Sequence, residues 1–218
     1  LLDETADRYY VAETGLIPAG GGSGLPNHQT VMTLVPGERS LADGQNQVVV
    51  KFESPVVGGA KLVKTYTFTR GNYVIDVKNE VVNAGSAPIN PRVYLQIVRD
   101  GNPLPGGNSL APSAFVGPAI YDDASRFQKI DFKSIEKRGA NDKPGHETNA
   151  DNGWIAMVQH YYTSAWLIDK PDGSGKLQRE YYTGKAEVTN DATGRPAHVY
   201  SVGMIVPLGD VAPGASRT

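Results

Sequence analysis

The sequence predicts an all-β fold, mainly antiparallel and with little helix, and three observations support that prediction. The 218 residues include 25 glycines and 15 prolines, which interrupt the chain too often for long helices. The segments between these breaks are short and rich in β-branched and aromatic residues. Most of them alternate apolar with polar residues, as antiparallel strands with one buried face do. Regular short strands without a helical period indicate a β-sandwich.

The clearest pair of strands lies in the first half of the chain. Lys61–Arg70 and Tyr73–Val82 form a candidate hairpin joined through Arg70-Gly71-Asn72, where the glycine can adopt positive φ. The second arm places its first apolar residues on one face and its charged residues on the other. The same pattern predicts further strands, which are Gln47–Glu53, Arg92–Arg99, Trp154–Gln159, Tyr162–Ile168, Glu180–Val188 and Ala197–Val206.

Three stretches are predicted to be loops because glycine, proline or charged residues dominate them: Ala19–Asn27, Asp100–Ser113 and Glu136–Asn152. None of them separates two regions of different composition, as a domain linker would, and no internal repeat is evident. We therefore expect a single domain over residues 1–218.

Composition excludes several classes of function. Lys and Arg total 21 against 23 Asp and Glu, so the net charge of −2 offers no basic surface for nucleic acid. The absence of cysteine excludes disulfides and thiolate metal sites. No apolar run approaches the roughly 18–20 residues that span a bilayer. The chain is polar from its third residue, so we expect an excised soluble fragment without a signal peptide.

The motifs that would indicate an enzyme are weak. The glycine-rich stretch within Ala19–Asn27 lacks the following Lys-Ser/Thr of a phosphate-binding loop and the strand and helix of a dinucleotide fingerprint. Asp122-Asp123 offers two carboxylates, but adjacent residues of an extended chain point to opposite faces, which favours a solvated turn. No G-x-S-x-G is present. We expect no catalytic residue and no cofactor.

Metal binding is equally weakly supported. The histidines are His28, His146, His160 and His198, and no two of them stand at the spacing of paired metal ligands. A site assembled from distant strands stays open as an alternative. We expect no metal.

A segment rich in cations and aromatic rings is the first candidate surface. Within residues 126–138, Arg126, Phe127, Lys129, Phe132 and Lys133 combine positive charge with apolar rings, a composition suited to a protein partner or to anionic lipid headgroups. The alternative is an edge strand or short helix whose lysines stay solvated and discourage edge pairing.

The stretch GWIAMVQHYYTSAW, residues 153–166, gathers both tryptophans, two tyrosines and a histidine. If it is a strand, Trp154, Ala156 and Val158 share one face while Ile155 and Met157 lie on the other. Both faces are apolar, which indicates a central strand covered on two sides, because large aromatic residues are normally core. A sugar-binding aromatic platform is the alternative.

These residues also carry a family resemblance. GWIAMVQHYYTSAW resembles the Gly-Gly-Trp-x-Ala-Met-x-Gln-x-Tyr-Phe-x-x-Ala-Trp block of YidC, the family of bacterial inner-membrane protein insertases. Three other segments resemble that family in the same order, namely Tyr10–Leu16, Lys64–Gly85 and Phe115–Ile135, so that the likeness runs from about Tyr9 to Pro213. The signature residues, expected in the core, are Gly153, Trp154, Ala156, Met157, Gln159, Tyr161, Ala165 and Trp166. One departure is Asn152, where the family has the first glycine.

The resemblance implies the large periplasmic domain between the first two transmembrane segments of a Gram-negative insertase, truncated at both ends. It implies a β-supersandwich like that of galactose mutarotases and related sugar-binding proteins. It also implies a non-enzymatic module at the periplasmic face of the inner membrane, monomeric when isolated, that contacts SecD and SecF of the Sec translocon or nascent membrane proteins. The alternatives are a mutarotase-like domain that binds carbohydrate or another small ligand, and a cleft that holds extended apolar segments.

Overall fold

The computed structural model describes residues 3–5, 8–21, 24–102, 115–139, 141–168, 177–189 and 196–218. Within them the chain is all-β, with antiparallel pairing throughout the registered strands, as the sequence predicts. The strands are β1 (Asp3–Thr5), β2 (Arg8–Pro18), β3 (Thr33–Leu34), β4 (Gln47–Glu53), β5 (Ala60–Thr69), β6 (Ile75–Asn83), β7 (Pro91–Asp100), β8 (Val116–Asp122), β9 (Arg126–Lys129), β10 (Asn149–Ala150), β11 (Trp154–Gln159), β12 (Tyr162–Leu167), β13 (Arg179–Thr189), β14 (Pro196–Pro207) and β15 (Ser216–Arg217), and the helix is α1 (Phe132–Glu136). The likeness to galactose mutarotases stays a prediction.

The alternation of residue types located most strands closely. β4 and β11 have the predicted bounds, and the other predicted strands begin or end within two residues of them. The pattern did not reveal the long strands β2 and β8, nor the short strands β1, β3, β10 and β15, of which β10 lies within the predicted loop Glu136–Asn152. β8 reads VGPAIYD, in which glycine and proline break the alternation even though the strand is largely buried. Part of the predicted loop Asp100–Ser113 lies outside the described residues.

The chain forms two compact units, the first comprising Leu1–Thr14 and Tyr94–Val206 and the second comprising Gly15–Val93 and Pro207–Thr218. The prediction of a single domain stays a prediction. The second unit contains a five-stranded sheet in the order β15-β6-β5-β4-β3. Its buried core is formed by aliphatic side chains that include Leu16, Leu25, Leu62, Val81 and Val211.

The first unit contains a four-stranded sheet in the order β12-β11-β8-β9 and most of a six-stranded sheet in the order β1-β2-β7-β14-β13-β10. Several hydrogen bonds join these layers, among them one from Tyr181 of β13 to the Tyr121 carbonyl of β8 at 3.4 Å. The Tyr10 hydroxyl of β2 donates to the Met157 carbonyl of β11 at 3.3 Å, and the Trp166 indole N–H of β12 donates to the Gln96 carbonyl of β7 at 3.0 Å. Aliphatic side chains fill the space between, including Ile97, Ile120, Ile155, Val202 and Met204.

Candidate functional site on the four-stranded sheet

The two stretches that the sequence singled out meet on one face of the four-stranded sheet. In the strand register, Trp154 pairs with Leu167 on one side and with Tyr121 on the other, and Tyr121 pairs with Phe127. Directly paired residues of antiparallel strands project to the same face of a sheet. Leu167, Trp154, Tyr121 and Phe127 therefore form one line across all four strands, which we call the aromatic row.

Ring contacts hold the aromatic row together. The Trp154 and Tyr121 rings stack with centroids 5.7 Å apart and planes 11° from parallel, and the Phe127 ring lies 5.8 Å from Trp154 at a tilt of 41°. The ends of the row are open, since Phe127 is 47% and Leu167 is 66% exposed. Trp154 and Tyr121 are half-buried. The row is thus a pre-ordered apolar surface in contact with solvent.

A line of small residues runs beside the aromatic row on the same face. It consists of Ala165, Ala156 and Ala119, followed by Lys129 at the edge strand β9. Ala119 and Ala156 are fully buried, whereas Ala165 and Lys129 are exposed. The Lys129 ammonium lies 5.3 Å from the centroid of the Phe115 ring, within the range of a cation–π contact. The face therefore combines large rings, methyl groups and a cation.

The opposite face of the same sheet is the inner one. Ile155 and Met157 are fully buried there, and the Trp166 ring is half-buried with its indole N–H bonded to the six-stranded sheet. With Ala156 also at zero exposure, the middle of β11 is covered on both sides, as its two apolar faces predict. Trp154 at the beginning of β11 lies on the outer face and is only half-buried.

The expectation that the whole signature lies in the core is wrong for two residues. Tyr161 is 85% exposed because it lies in the two-residue turn between β11 and β12, where its ring meets His160 edge-on. That turn is formed by His160 at a φ of 51°, an unusual conformation for a residue other than glycine. Ala165 is exposed because it lies on the outer face of β12, an end strand in the described sheet. Gly153 and Gln159 are partly buried.

Gly153 is the signature residue with the strictest steric requirement. Its φ is 102°, and a Cβ at this position would lie 1.9 Å from the Tyr121 carbonyl oxygen and 2.5 Å from the Tyr181 hydroxyl. The preceding Asn152 has no positive φ, and its side-chain oxygen accepts the Asp123 N–H at 2.8 Å. The turn therefore needs the second glycine of the family block and accepts asparagine at the first.

The cationic segment divides between two places. Arg126, Phe127 and Lys129 lie on β9 beside the aromatic row, and the Arg126 guanidinium approaches the Tyr121 hydroxyl at 3.4 Å. Phe132 and Lys133 lie instead on α1, where Phe132 stacks on Tyr200 of β14 with centroids 4.6 Å apart. The alternative interpretation of this segment named an edge strand or a short helix, and the segment contains both. Its role in partner contact stays a prediction.

Polar clusters elsewhere in the first unit connect loops to strands. The Glu136 carboxylate accepts the Tyr200 hydroxyl at 2.9 Å and lies 3.2 Å from His198 Nδ1. These contacts, the Tyr200 hydrogen bond above all, hold the pKa of Glu136 below its usual range. Each partner in this cluster also lies at the end of α1 or on β14, so the arrangement fixes the helix to the sheet.

A second cluster joins the loop after α1 to β13. Glu147 accepts the backbone N–H of Thr183 at 2.9 Å and its hydroxyl at 3.0 Å, and it pairs with Arg138. His146 Nε2 lies 2.9 Å from the same Thr183 hydroxyl, and burial lowers the pKa of His146. Within the described residues, no group of three or more His, Asp or Glu side chains is placed to hold a metal ion.

The acidic pair Asp122-Asp123 belongs to the turn between β8 and β9. Asp123 is exposed, as expected for a solvated turn, but Asp122 is 1% exposed, so the solvated reading is wrong for that residue. One Asp122 carboxylate oxygen accepts the N–H groups of Ala124 and Ser125 at 2.9 and 2.6 Å. It therefore caps the turn that brings Phe127 to the aromatic row.

Three members of this surface escaped the reasoning from periodicity. Tyr121, Ala119 and Leu167 join it only through strand pairing, which sequence alternation does not reveal. A signal was nevertheless present, because Ala119 and Tyr121 stand in the family-like segment Phe115–Ile135.

None of the helices in the described part of the chain is long and apolar enough to cross a bilayer.

The comparison with known proteins agrees with the resemblance. The model of the YidC periplasmic domain matches residues 1–218. A membrane protein insertase YidC from Janthinobacterium sp. (strain Marseille) is 46% identical over 219 residues, covering 100% of this chain and 34% of that protein. One from Burkholderia cenocepacia (strain J2315) is 46% identical over 217 residues, covering 99% of this chain and 35% of that protein.

A third insertase of the same name, from Burkholderia thailandensis, is 44% identical over 216 residues, covering 99% of this chain and 34% of that protein. The chain thus spans about a third of the length of the relatives it matches. The region matched is the periplasmic one, and the match covers the chain from end to end. The chain belongs to the YidC periplasmic domain family.

Proposed function

We propose that this chain is a non-catalytic interaction domain of a membrane protein insertase, and that the aromatic row is where it docks a protein partner. The single observation that supports this most is the solvent-open line of Leu167, Trp154, Tyr121 and Phe127 across four strands. Aromatic residues ordered before binding lose little conformational entropy on contact, and they dominate the binding energy of many interfaces.

The rest of the outer face fits a protein ligand. Arg126 and Lys129 are exposed at the β9 side of the row, where they provide charge around an apolar centre. Of the neighbouring alanines, Ala165 is exposed on β12 and presents little bulk, so a partner backbone can approach that strand closely. An apolar centre with a charged rim is the usual arrangement of a protein interface.

The comparisons supply the class of partner. The relatives are named membrane protein insertases, and two thirds of their length lies outside the matched region. We propose that the parent protein assists insertion and folding of inner-membrane proteins. The partners of this domain are then the Sec accessory proteins SecD and SecF, or segments of nascent membrane proteins.

The test uses the full-length parent and substitutions confined to the surface. Phe127→Ser combined with Leu167→Ser removes the two open ends of the aromatic row. The matched control combines Tyr161→Ser with Val31→Ser, which are 85% and 87% exposed but lie off the row. We expect recovery of SecD and SecF, or cross-linking to nascent chains, to fall in the first variant and not in the control. Equal recovery from both variants contradicts the proposed docking site.

A carbohydrate-binding function is the second candidate. The observation that favours it is the nearly parallel stack of Trp154 on Tyr121, beside the polar side chains of Asp123 and Asn152. Saccharide rings stack on such platforms while nearby polar groups bond their hydroxyls. Titration with mono- and oligosaccharides, followed by tryptophan fluorescence in the parent chain and in Trp154→Ala, tests it. A saturable response lost in the variant supports the idea, and the absence of a response rejects it.

A further inference from the structure

One face of the β5–β6 hairpin of the second unit becomes steadily more exposed toward its turn, and it is apolar except at the pair Lys64 and Asn79. At the far end Leu62 and Val81 pair across the two strands and are fully buried. The pair Tyr66 and Val77 is half-buried, and the final pair, Phe68 and Ile75, is 39% and 49% exposed. The hairpin is therefore anchored in a core at one end and open at the other.

The residues that follow the last pair are more exposed still. Tyr73 has a relative exposure of 103% and Val74 has 62%, so the described part of the chain leaves Tyr73 uncovered and Val74 mostly uncovered. We call residues 68–75 the hairpin tip. It contains four large apolar side chains, Phe68, Tyr73, Val74 and Ile75, within eight successive positions. Contiguous exposed apolar side chains of this kind mark a surface that another phase or molecule covers.

The hairpin tip is ordered by hydrogen bonds. The Asn72 N–H donates to the Thr69 carbonyl at 3.1 Å, and the Val74 N–H donates to the Asn72 side-chain oxygen at 3.0 Å. Gly71 provides the positive φ of 74° that the turn requires. The Arg70 N–H donates to the Asn46 carbonyl at 2.8 Å, which ties the tip to the segment before β4. Tyr73 and Val74 are thus presented on a fixed support.

The hairpin tip contains residue types that are suited to the interfacial region of a bilayer. Tyrosine is enriched at the level of lipid headgroups, where its ring is apolar and its hydroxyl is wet. The aliphatic Val74 and Ile75 are suited to the acyl boundary just below. The only charged side chain in residues 68–75 is the cation Arg70, which complements anionic lipid phosphate.

We propose that the hairpin tip contacts the surface of a phospholipid bilayer containing anionic lipid. Two findings favour an anionic bilayer over a protein as the partner of the hairpin tip. The tip pairs its apolar side chains with the cation Arg70, whereas the exposed Asp76 that follows projects to the opposite face of β6 from Ile75. The relatives of the chain are membrane protein insertases that continue well beyond the matched region. A domain held beside a membrane needs only weak intrinsic affinity to stay in contact, because tethering raises the effective concentration.

This contact goes beyond the proposed docking of a partner. It uses the second unit and a different set of side chains, so either proposal can fail without the other. The lipid contact concerns the sheet β15-β6-β5-β4-β3, whereas the aromatic row lies on the four-stranded sheet of the first unit.

The absence of native cysteine makes a site-specific test simple. Val74→Cys in the 218-residue chain is labelled with an environment-sensitive fluorophore, and Val31→Cys provides a matched control at a second exposed valine. Each labelled chain is mixed with vesicles of phosphatidylethanolamine and phosphatidylglycerol. We expect the emission at position 74 to rise severalfold and move to shorter wavelength, whereas the emission at position 31 stays unchanged.

A second variant identifies the side chains responsible. Tyr73→Ser combined with Ile75→Ser, in the Val74→Cys background, should abolish the response and lower the urea unfolding midpoint only slightly, because Tyr73 is fully exposed and Ile75 is 49% exposed. Arg70→Gln should weaken the response to anionic vesicles and leave the smaller response to phosphatidylcholine vesicles unchanged.

Three results would overturn the proposal. The first is an unchanged emission at position 74 at saturating lipid, and the second is an equal change at positions 31 and 74. The third is a change that grows with protein concentration in the absence of vesicles, which would show that a second copy of the chain covers the hairpin tip.

Discussion

The Trp154 and Tyr121 rings stack with their centroids 5.7 Å apart, although the two residues belong to different strands and to different conspicuous stretches of the sequence. Phe127 adds a third ring, 5.8 Å from Trp154. Trp154 of the signature block and the β9 part of the cationic segment therefore belong to one surface. Trp154 lies half-buried on the outer face of the sheet, whereas Trp166, on the opposite face, joins two layers of the first unit.

Removal of the Trp154 ring should cost moderate stability. The ring is half-buried and has two aromatic neighbours, and each aromatic pair contributes about 0.5–1.5 kcal/mol beyond area burial. We expect Trp154→Ala to lower the free energy of unfolding by about 1–3 kcal/mol, less than the ~3–5 kcal/mol of a fully buried aromatic residue. Urea denaturation measures this. A loss above that range would show that the ring is covered as completely as a core residue.

The two tryptophans should respond differently to phenylalanine. Trp166→Phe keeps an aromatic ring but removes the indole N–H that donates to the Gln96 carbonyl at 3.0 Å. The lost hydrogen bond should cost about 1 kcal/mol, with a further penalty if the carbonyl is left unsatisfied. The Trp154 indole makes no such bond to the residues that the structure describes, so Trp154→Phe is the matched control and should change the urea midpoint less. Equal shifts in the two variants contradict the assigned roles.

Features that depend on residues within one segment were predicted from the sequence, whereas features that depend on pairing between distant strands were not. The bounds of β4 and β11 follow from alternation within the segment, and so does the double burial of Ile155–Met157. The aromatic row depends on the register of β11 with β8 and β12. Register is a long-range property that alternation within one strand leaves undetermined.

The exposed position of Tyr161 was hidden for a different reason. A two-residue hairpin turn is usually announced by glycine or asparagine, but here His160 adopts the positive φ. The predicted strands left His160 and Tyr161 between them, but without that signal Tyr161 was assigned to the core with the rest of the family signature. The family resemblance did not correct the error, since it identifies which residues recur and not which side of a sheet they occupy.

Gly153 should be intolerant of even one added carbon. Alanine would meet the Tyr121 carbonyl oxygen at 1.9 Å and would also have to adopt a φ of 102°. The backbone strain alone costs about 1–3 kcal/mol, and the main-chain clash adds to it. We expect Gly153→Ala to destabilise the chain by about 3 kcal/mol or more, measured by thermal and urea unfolding.

Gly71→Ala is the control for the Gly153 prediction. Gly71 has a positive φ of 74°, but nothing lies within 4 Å of the added carbon, so only the backbone strain applies there. That variant should lose about 1 kcal/mol. A Gly153→Ala chain no less stable than the Gly71→Ala chain would mean that the Tyr121 and Gly153 backbones move apart without penalty.

His146 should make stability depend on pH near neutrality. Burial lowers its pKa in the folded chain below the ordinary value of 6.5, although Glu147 opposes that shift. The unfolded chain therefore takes up the proton at higher pH, so stability is complete above about 6.5 and falls as the pH drops toward the folded pKa. The difference in unfolding free energy between the parent and His146→Gln should shrink from pH 7.5 to pH 5.5. A titration by NMR that places the His146 pKa at or above 6.5 would contradict this.

Glu136 should make stability depend on pH in a more acidic range than His146 does, and through a carboxylate instead of an imidazole. Hydrogen bonds from Tyr200, then from His198, stabilise its carboxylate and depress its pKa in the folded chain. The contribution to stability is therefore present above the ordinary pKa of glutamate, about 4.5, and is lost as the pH falls through the depressed folded value. Glu136→Gln keeps the shape of the side chain but has no charge to lose.

The Glu136 prediction is tested by urea midpoints of the parent and Glu136→Gln between pH 7 and pH 3. The parent should lose more stability over that range, and the two curves should converge at the acid end. The matched control is Glu187→Gln. Glu187 also lies near His198, 3.3 Å from its Nε2, but its side chain is far more exposed than that of Glu136. The Glu187→Gln chain should therefore lose nearly as much stability between pH 7 and pH 3 as the parent does. If Glu136→Gln instead follows the parent at every pH, the contact between α1 and Tyr200 depends on the ring stack of Phe132, and the carboxylate contributes nothing measurable.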